Sequence, residues 1–170
     1  MFLACPLVIY HTIHNGLRAL KKEGASIMTT FKIASQFDGK VLDVPGFATG
    51  NGAVIQQFQD NGGPNQHWEL VSVGNSLFKI VSQSSGLVLD VPGNNPNNGV
   101  LIQQFQDNGG VNQQWQLILA NDDGITYKIV SQGTGKVLDV PGFATDNGVQ
   151  IQQFDDNGGT NQHWQLIRVD

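Results

Sequence analysis

Apolar positions along this chain fall in short alternating runs, and the runs recur. Phe-x-Ile-x-Ser (Tyr in the last copy), Val-Leu-Asp-Val, Ile-Gln-Gln-Phe and Trp-x-Leu follow one another three times, over residues 31–70, 78–117 and 127–166. Trp68, Trp115 and Trp164 set a period of 47 and then 49 residues, which marks a repeat architecture. Period-two runs bounded by Gly, Pro, Asn and Asp read as strands, predicted in the first copy over 31–36, 40–44, 53–58 and 67–71. Asp38-Gly39 is a tight-turn signal. A longer loop holds Pro45, Gly46, Asn51 and Gly52, and Asn61-Gly62-Gly63 turns the chain into the last strand.

Alternation also assigns faces. Leu42 and Val44 share one side of their run and Asp43 takes the other; Ile55 and Gln57 oppose Gln56 and Phe58. With Leu42, Val44 and Ile55 in the core, Asp43, Gln56 and Phe58 converge on an exterior patch. Gln57, Gln104 and Gln153 then face inward and, if buried, need hydrogen-bond partners. One copy cannot bury its apolar face alone. The expectation is an all-β domain over 30–170, with repeats at 31–76, 77–125 and 126–170 of about four strands each. Such a set closes into a barrel with pseudo-threefold symmetry and no exposed sheet edge.

Composition narrows the function. The repeats occupy most of the 170 residues and leave no room for a second, catalytic domain. With 21 Gly and 14% charged residues, the surface is neutral and polar. A net charge of -5 and the lack of a Lys/Arg cluster in the repeats argue against nucleic acid and acidic membrane surfaces. The single cysteine, Cys5, allows no intrachain disulfide. Residues 1–29 share nothing with the repeats. Their apolar stretch precedes its basic residues, unlike a secretory signal, and is too short to span a bilayer. Residues 1–27 read as a leader, with Met28 the natural start. A cytoplasmic or non-classically released protein is expected, with secretion the alternative. His11 and His14 read as ordinary polar residues, so neither metal nor cofactor is expected.

The repeated Gln66-His67-Trp68, Gln113-Gln114-Trp115 and Gln162-His163-Trp164, in register with three Leu-Asp-Val and three Gln-x-Phe segments, resemble the ricin-type β-trefoil lectins. That family is also known by its QxW repeat and as carbohydrate-binding module family 13. The resemblance covers residues 31–170 and implies a β-trefoil that binds sugars without catalysis. It implies that Asp43, Asp90 and Asp139 accept sugar hydroxyls and that Phe58, Phe105 and Phe154 stack on the ring. Asn65, Asn112 and Asn161 would help hold a hydroxyl, and Gln56, Gln103 and Gln152 would line the site. The QxW Gln and Trp would be structural. Galactose, lactose or N-acetylgalactosamine are the implied ligands, with xylan as runner-up. The chain departs in holding Val41 and Asp60 where the family often places a disulfide, and in having Phe where Trp or Tyr is usual.

The chemistry suits such a ligand. A pyranose presents a C–H face to an aromatic ring and a rim of hydroxyls to fixed acceptors, and an ionised Asp can take two neighbouring hydroxyls. Open sites of this kind bind with constants on the order of a millimolar, about -4 kcal/mol, which three sites can raise by avidity. Blander readings stay open: the aspartates as caps of the turn at the following Pro, the Phe set as satellite core. His67 and His163 read as surface residues of the last strand. Phe47 and Phe143 follow the aspartate in the outer copies, where the middle copy reads Asn-Asn-Pro. As loop walls they predict better binding at the first and third sites than at the second. Asp155-Asp156 could supply a second carboxylate near Asp139, but the other copies carry Gln59 and Gln106 at position 155, which speaks against hydrolysis. A non-sugar interaction trefoil, such as an inhibitor, is the competing class.

Overall fold

The computed structural model describes residues 29–169. The leader, the Met28 start and the His11/His14 pair lie outside the described residues. Six strands form a closed antiparallel circuit: β1 (Thr30–Ser35), β4 (Trp68–Gly74), β5 (Leu77–Ser82), β8 (Trp115–Leu119), β9 (Thr126–Ser131) and β12 (Trp164–Val169). Each pairs with the next, and β12 returns to β1 from Thr30↔Val169 to Ser35↔Trp164. The other six make three hairpins: β2 (Val41–Asp43) with β3 (Gln56–Phe58), β6 (Val88–Asp90) with β7 (Gln103–Phe105), and β10 (Val137–Asp139) with β11 (Gln152–Phe154). They attach to the ends of β1, β5 and β9, so all three cap the same end of the barrel. This is a β-trefoil.

The hairpin strands are shorter than the alternation predicts. Pro45 lacks an N–H and opens a 3-10 turn, which stops β2 at Asp43. Residues ahead of β3 bond to other copies instead of to their own hairpin. Ile55 N donates to Ile102 O, Ile102 N to Ile151 O and Ile151 N to Ile55 O, each at 2.9 Å. The three bonds close a ring about the pseudo-threefold axis. Around it Ile33, Leu42, Trp68 and their counterparts are wholly buried. Each indole stitches its strand to its hairpin, Trp68 Nε1 donating to Leu42 O at 3.1 Å, and Trp115 and Trp164 likewise to Leu89 and Leu138.

The inward glutamines find their partners in a neighbouring copy. Gln57 Nε2 donates to the carbonyls of Ala144 (2.8 Å) and Asp146 (3.3 Å). Gln104 holds Ala48 and Gly50 the same way, and Gln153 holds Asn95 and Asn97. Each copy therefore pins the loop that follows the aspartate of another. A buried amide without those carbonyls would cost about 1–3 kcal/mol, so the clamp fixes the loops.

Candidate functional site

Two tight turns bring the candidate residues of each copy together. The first, Pro45–Phe47, carries two successive left-handed residues, Gly46 (φ 59) and Phe47 (φ 55), and closes with Ala48 N donating to Pro45 O. Phe143 (φ 55) and Asn94 (φ 52) stand in the same conformation. It is strained for a bulky side chain and tolerable for Asn. The second turn, Pro64–Gln66, delivers Asn65 and Gln66 over the hairpin, and Val44 N donates to Asn65 O at 2.9 Å to lock the two turns.

At the centre lies Asp43, opposite Gln56 in the hairpin register. Gln56 Nε2 donates to one carboxylate oxygen at 2.7 Å; Asn65 Nδ2 (2.8 Å) and Gln66 Nε2 (3.0 Å) donate to the other. Asp90 receives Gln103, Asn112 and Gln113, and Asp139 receives Gln152, Asn161 and Gln162, with the same geometry. The register thus gathers the predicted Asp, Gln and Asn of each copy, with Phe58, Phe105 and Phe154 half-buried one step along the same face.

The expected exterior patch needs correction. Asp43, Asp90 and Asp139 are only 2–3% exposed, and Asn65 and Asn161 are buried as well. Alternation places Asp43 opposite Leu42, but the Pro64–Gln66 turn then folds across it. The carboxylate is the floor of the site, and Gln56 and Phe58 are its half-open rim. Nor does Asp43 cap the following turn, which has no side-chain cap. Gln66 acts structurally: it braces Asp43, donates to Gln59 O and accepts from Asn61 N.

Asn65 spends both amide hydrogens, on Asp43 and on Val44 O (3.0 Å), which fixes its orientation. Its Oδ1, like that of Asn161, is buried and has no hydrogen-bond partner within the protein. Asn112 is half-buried. A Cβ on Gly63 would lie 2.5 Å from Asn65 Oδ1 and 3.4 Å from the tip of the Phe47 ring, so only Gly leaves room there. A Cβ on Gly159 would meet Asn161 Oδ1 and the tip of the Phe143 ring in the same manner. Phe47 and Phe143 are 53% and 45% exposed, so each ring lies open beside the candidate site of its copy.

His67 and His163 are not strand surface residues. Each ends a 3-10 turn, half-buried, with Nδ1 against Gln83 or Gln36 of the next copy. Burial, helped by Lys128 and opposed by Asp156, lowers the His163 pKa. Asp155 is engaged by Lys136 (2.5 Å) and Asn98 (2.8 Å), while Asp156 is held by Lys128. A cleft of about 530 Å³ between the first and third copies is lined by Asp38, Lys40, Asp60 and Asp146, among others, and by none of the candidate sugar contacts. Its Asp38 and Asp60 are already paired, with Lys40 and Lys32.

Sequence reasoning missed one residue at these sites. Phe37, in the turn between β1 and β2, stands edge-on to Phe143 with ring centroids 5.0 Å apart. The available signal was a mismatch between copies, Phe37 against Ser84 and Gly133.

Comparison with known proteins agrees with this fold. The designed threefold-symmetric protein ThreeFoil is 36% identical over 82% of this chain and 99% of its own, with a TM-score of 0.79. An exo-β-1,3-galactanase from Clostridium thermocellum is 41% identical at a TM-score of 0.80; the match covers 86% of this chain but 32% of the galactanase. A Macrolepiota procera ricin B-like lectin, solved in complex with lactose, shares the fold at 24% identity, with 86% and 100% coverage and a TM-score of 0.73. No curated protein matches the sequence. The model of the ricin-type beta-trefoil lectin domain-like family matches residues 20–105 and 111–170, and the chain belongs to that family.

Proposed function

We propose that the protein is a carbohydrate-binding lectin for galactose-type sugars, with one shallow site per copy, and that it acts by binding and not by catalysis. One observation carries the reading. Phe47 and Phe143, bulky residues in left-handed backbone, hold half-exposed rings over Gly63 and Gly159, next to the asparagines that help three amides brace each carboxylate. Strain of this kind persists where the surroundings over-determine it and collects at ligand sites.

In this reading the sugar's C–H face lies on Phe58 and its counterparts, and Phe47 or Phe143 walls the open side. Gln56 presents its amide at the rim, and Asp43 offers its remaining lone pair from the floor. Asn65 and Asn161 hold the carboxylate and the adjoining turn in place through both amide hydrogens. The same roles fall to Asp90, Gln103, Phe105 and Asn112 in the second copy, and to Asp139, Gln152, Phe154 and Asn161 in the third. Three amide donors fix the carboxylate in place and leave it one acceptor position to offer, an arrangement suited to holding a hydroxyl. The lactose of the Macrolepiota lectin structure is the reason to favour galactose over xylan.

The test is a glycan array with the full chain, followed by competition with free galactose. Binding to galactose-terminated glycans that free galactose abolishes is the expected result. Capture of xylan alone, or of no glycan at all, overturns it.

A further inference from the structure

The three site walls rest on different supports, and the threefold relation makes them comparable. The turn between the first two strands of one copy stands behind the loop wall of another. In the third site the wall is Phe143 and the support is Phe37 of the first copy, ring against ring at 81° and 5.0 Å. Phe37 is itself held by its turn, its N–H donating to Ser35 Oγ at 3.2 Å. The tip of Phe143 reaches the far side of the site, 3.1 Å from where a Cβ on Gly159 would lie. The ring is thus braced at its back and fitted at its tip.

In the first site Phe47 reaches the equivalent point over Gly63, but the supporting position holds Ser84, whose hydroxyl is engaged with Ser82 at 3.1 Å. In the second site the wall is Asn94, and the position behind it is Gly133, against which Asn94 packs closely. The series runs from a braced ring, through a ring alone, to no ring. Edge-to-face pairs are a favoured aromatic geometry, and a wall fixed before the ligand arrives loses less freedom on binding.

We propose that Phe37 is a positioning residue for the third site, which is therefore built from two copies and is the tightest of the three for a galactose-type ring. The proposal rests on the lectin reading above and goes beyond it by ranking the sites and naming what ranks them. Phe37 acts through Phe143 and need not touch the sugar.

Titration of the full chain with galactose, followed through the side-chain amide resonances of Gln56, Gln103 and Gln152, reads the three sites separately. Affinity is expected to fall from the third site to the first to the second. Phe37→Ser should weaken the third site about fivefold and leave the others unchanged. Phe37→Tyr, which keeps the ring, should restore it, and Ser84→Phe should tighten the first site by a similar factor. Ser84→Phe leaves Phe37 in place, so it decides the matter even if Phe37→Ser misfolds. Three equal constants, an equal effect of Phe37→Ser on all sites, or a first site indifferent to Ser84→Phe overturns the ranking while leaving the lectin reading intact. Silence of all three amides, together with an empty glycan array, overturns both.

Discussion

The outer copies and the middle copy differ at the rim of their sites and agree at the floor. Asp43, Asp90 and Asp139 receive the same three amides, at distances from 2.7 to 3.0 Å in every copy. Above that shared base, the outer copies hold Phe47 and Phe143 where the middle copy holds Asn94. The floor is fold machinery, constrained by burial in every copy. The rim is where one copy can differ from another without unfolding the domain. An aspartate substitution is therefore a poor probe of binding here, because it removes structure as well.

Removal of the floor should give the largest effect and should not separate the copies. Asp43→Ala, Asp90→Ala and Asp139→Ala each strand three amide donors, and each should lower unfolding free energy by about 3 kcal/mol in thermal or urea melts. A middle copy that tolerated the change would break the equivalence.

Phe47→Gly tests the rim, with opposite signs for its two readouts. It should relieve the left-handed strain and raise stability by about 1 kcal/mol, while weakening the first site roughly tenfold. Asn94→Gly should gain less stability and leave binding alone, since Asn already tolerates that conformation. A Phe47→Gly chain that bound as tightly as the parent in calorimetry would remove the ring from the site.

A smaller difference separates the first copy from the other two. Ser85 and Thr134 donate hydroxyls to the inward Gln104 and Gln153 at 2.8 Å, whereas the first copy holds Asp38, and Gln57 Oε1 is left without a partner. Asp38→Thr should supply that donor and stabilise the domain by about 1 kcal/mol in melting experiments.

The smallest effect lies in acid and is shared by all copies. The Lys32 hydrogen bond lowers the Asp60 pKa below 3.8, with burial opposing and the Gly62 N–H assisting; Lys79 and Lys128 do the same for Asp107 and Asp156. Carboxylates depressed in the folded state add stability that is present above about pH 4 and is lost as pH falls through their folded values. The carboxylates are 39–44% exposed, so the contribution is slight. Replacing all three lysines with Gln should flatten the acid limb of melting temperature against pH; an unchanged limb would assign it elsewhere.

Much of this molecule was legible in its sequence because its signals are local. Asn-Gly and Asp-Gly turns, period-two runs and the triplicated motif marked the strands and their order along the chain, and the shared face of Asp43, Gln56 and Phe58 followed from alternation in two short strands. What covers a residue was not local. Alternation put Asp43 on the face opposite Leu42, but its burial depends on Asn65 and Gln66, which arrive on a turn 22 and 23 residues later. The partners of Gln57 lie 87 and 89 residues away in another copy, beyond what any periodicity can report. Phe37 escaped for the same reason.

The pairing of β1 with β12 along six positions gives the first and last strands of the domain no special standing in the fold. Joining residue 169 to residue 30 through a short linker and opening the chain at an exposed hairpin tip such as Asn75-Ser76 should yield a circular permutant with its cap and barrel intact. What the domain needs is the cyclic succession of its strands and hairpins, whichever of them comes first.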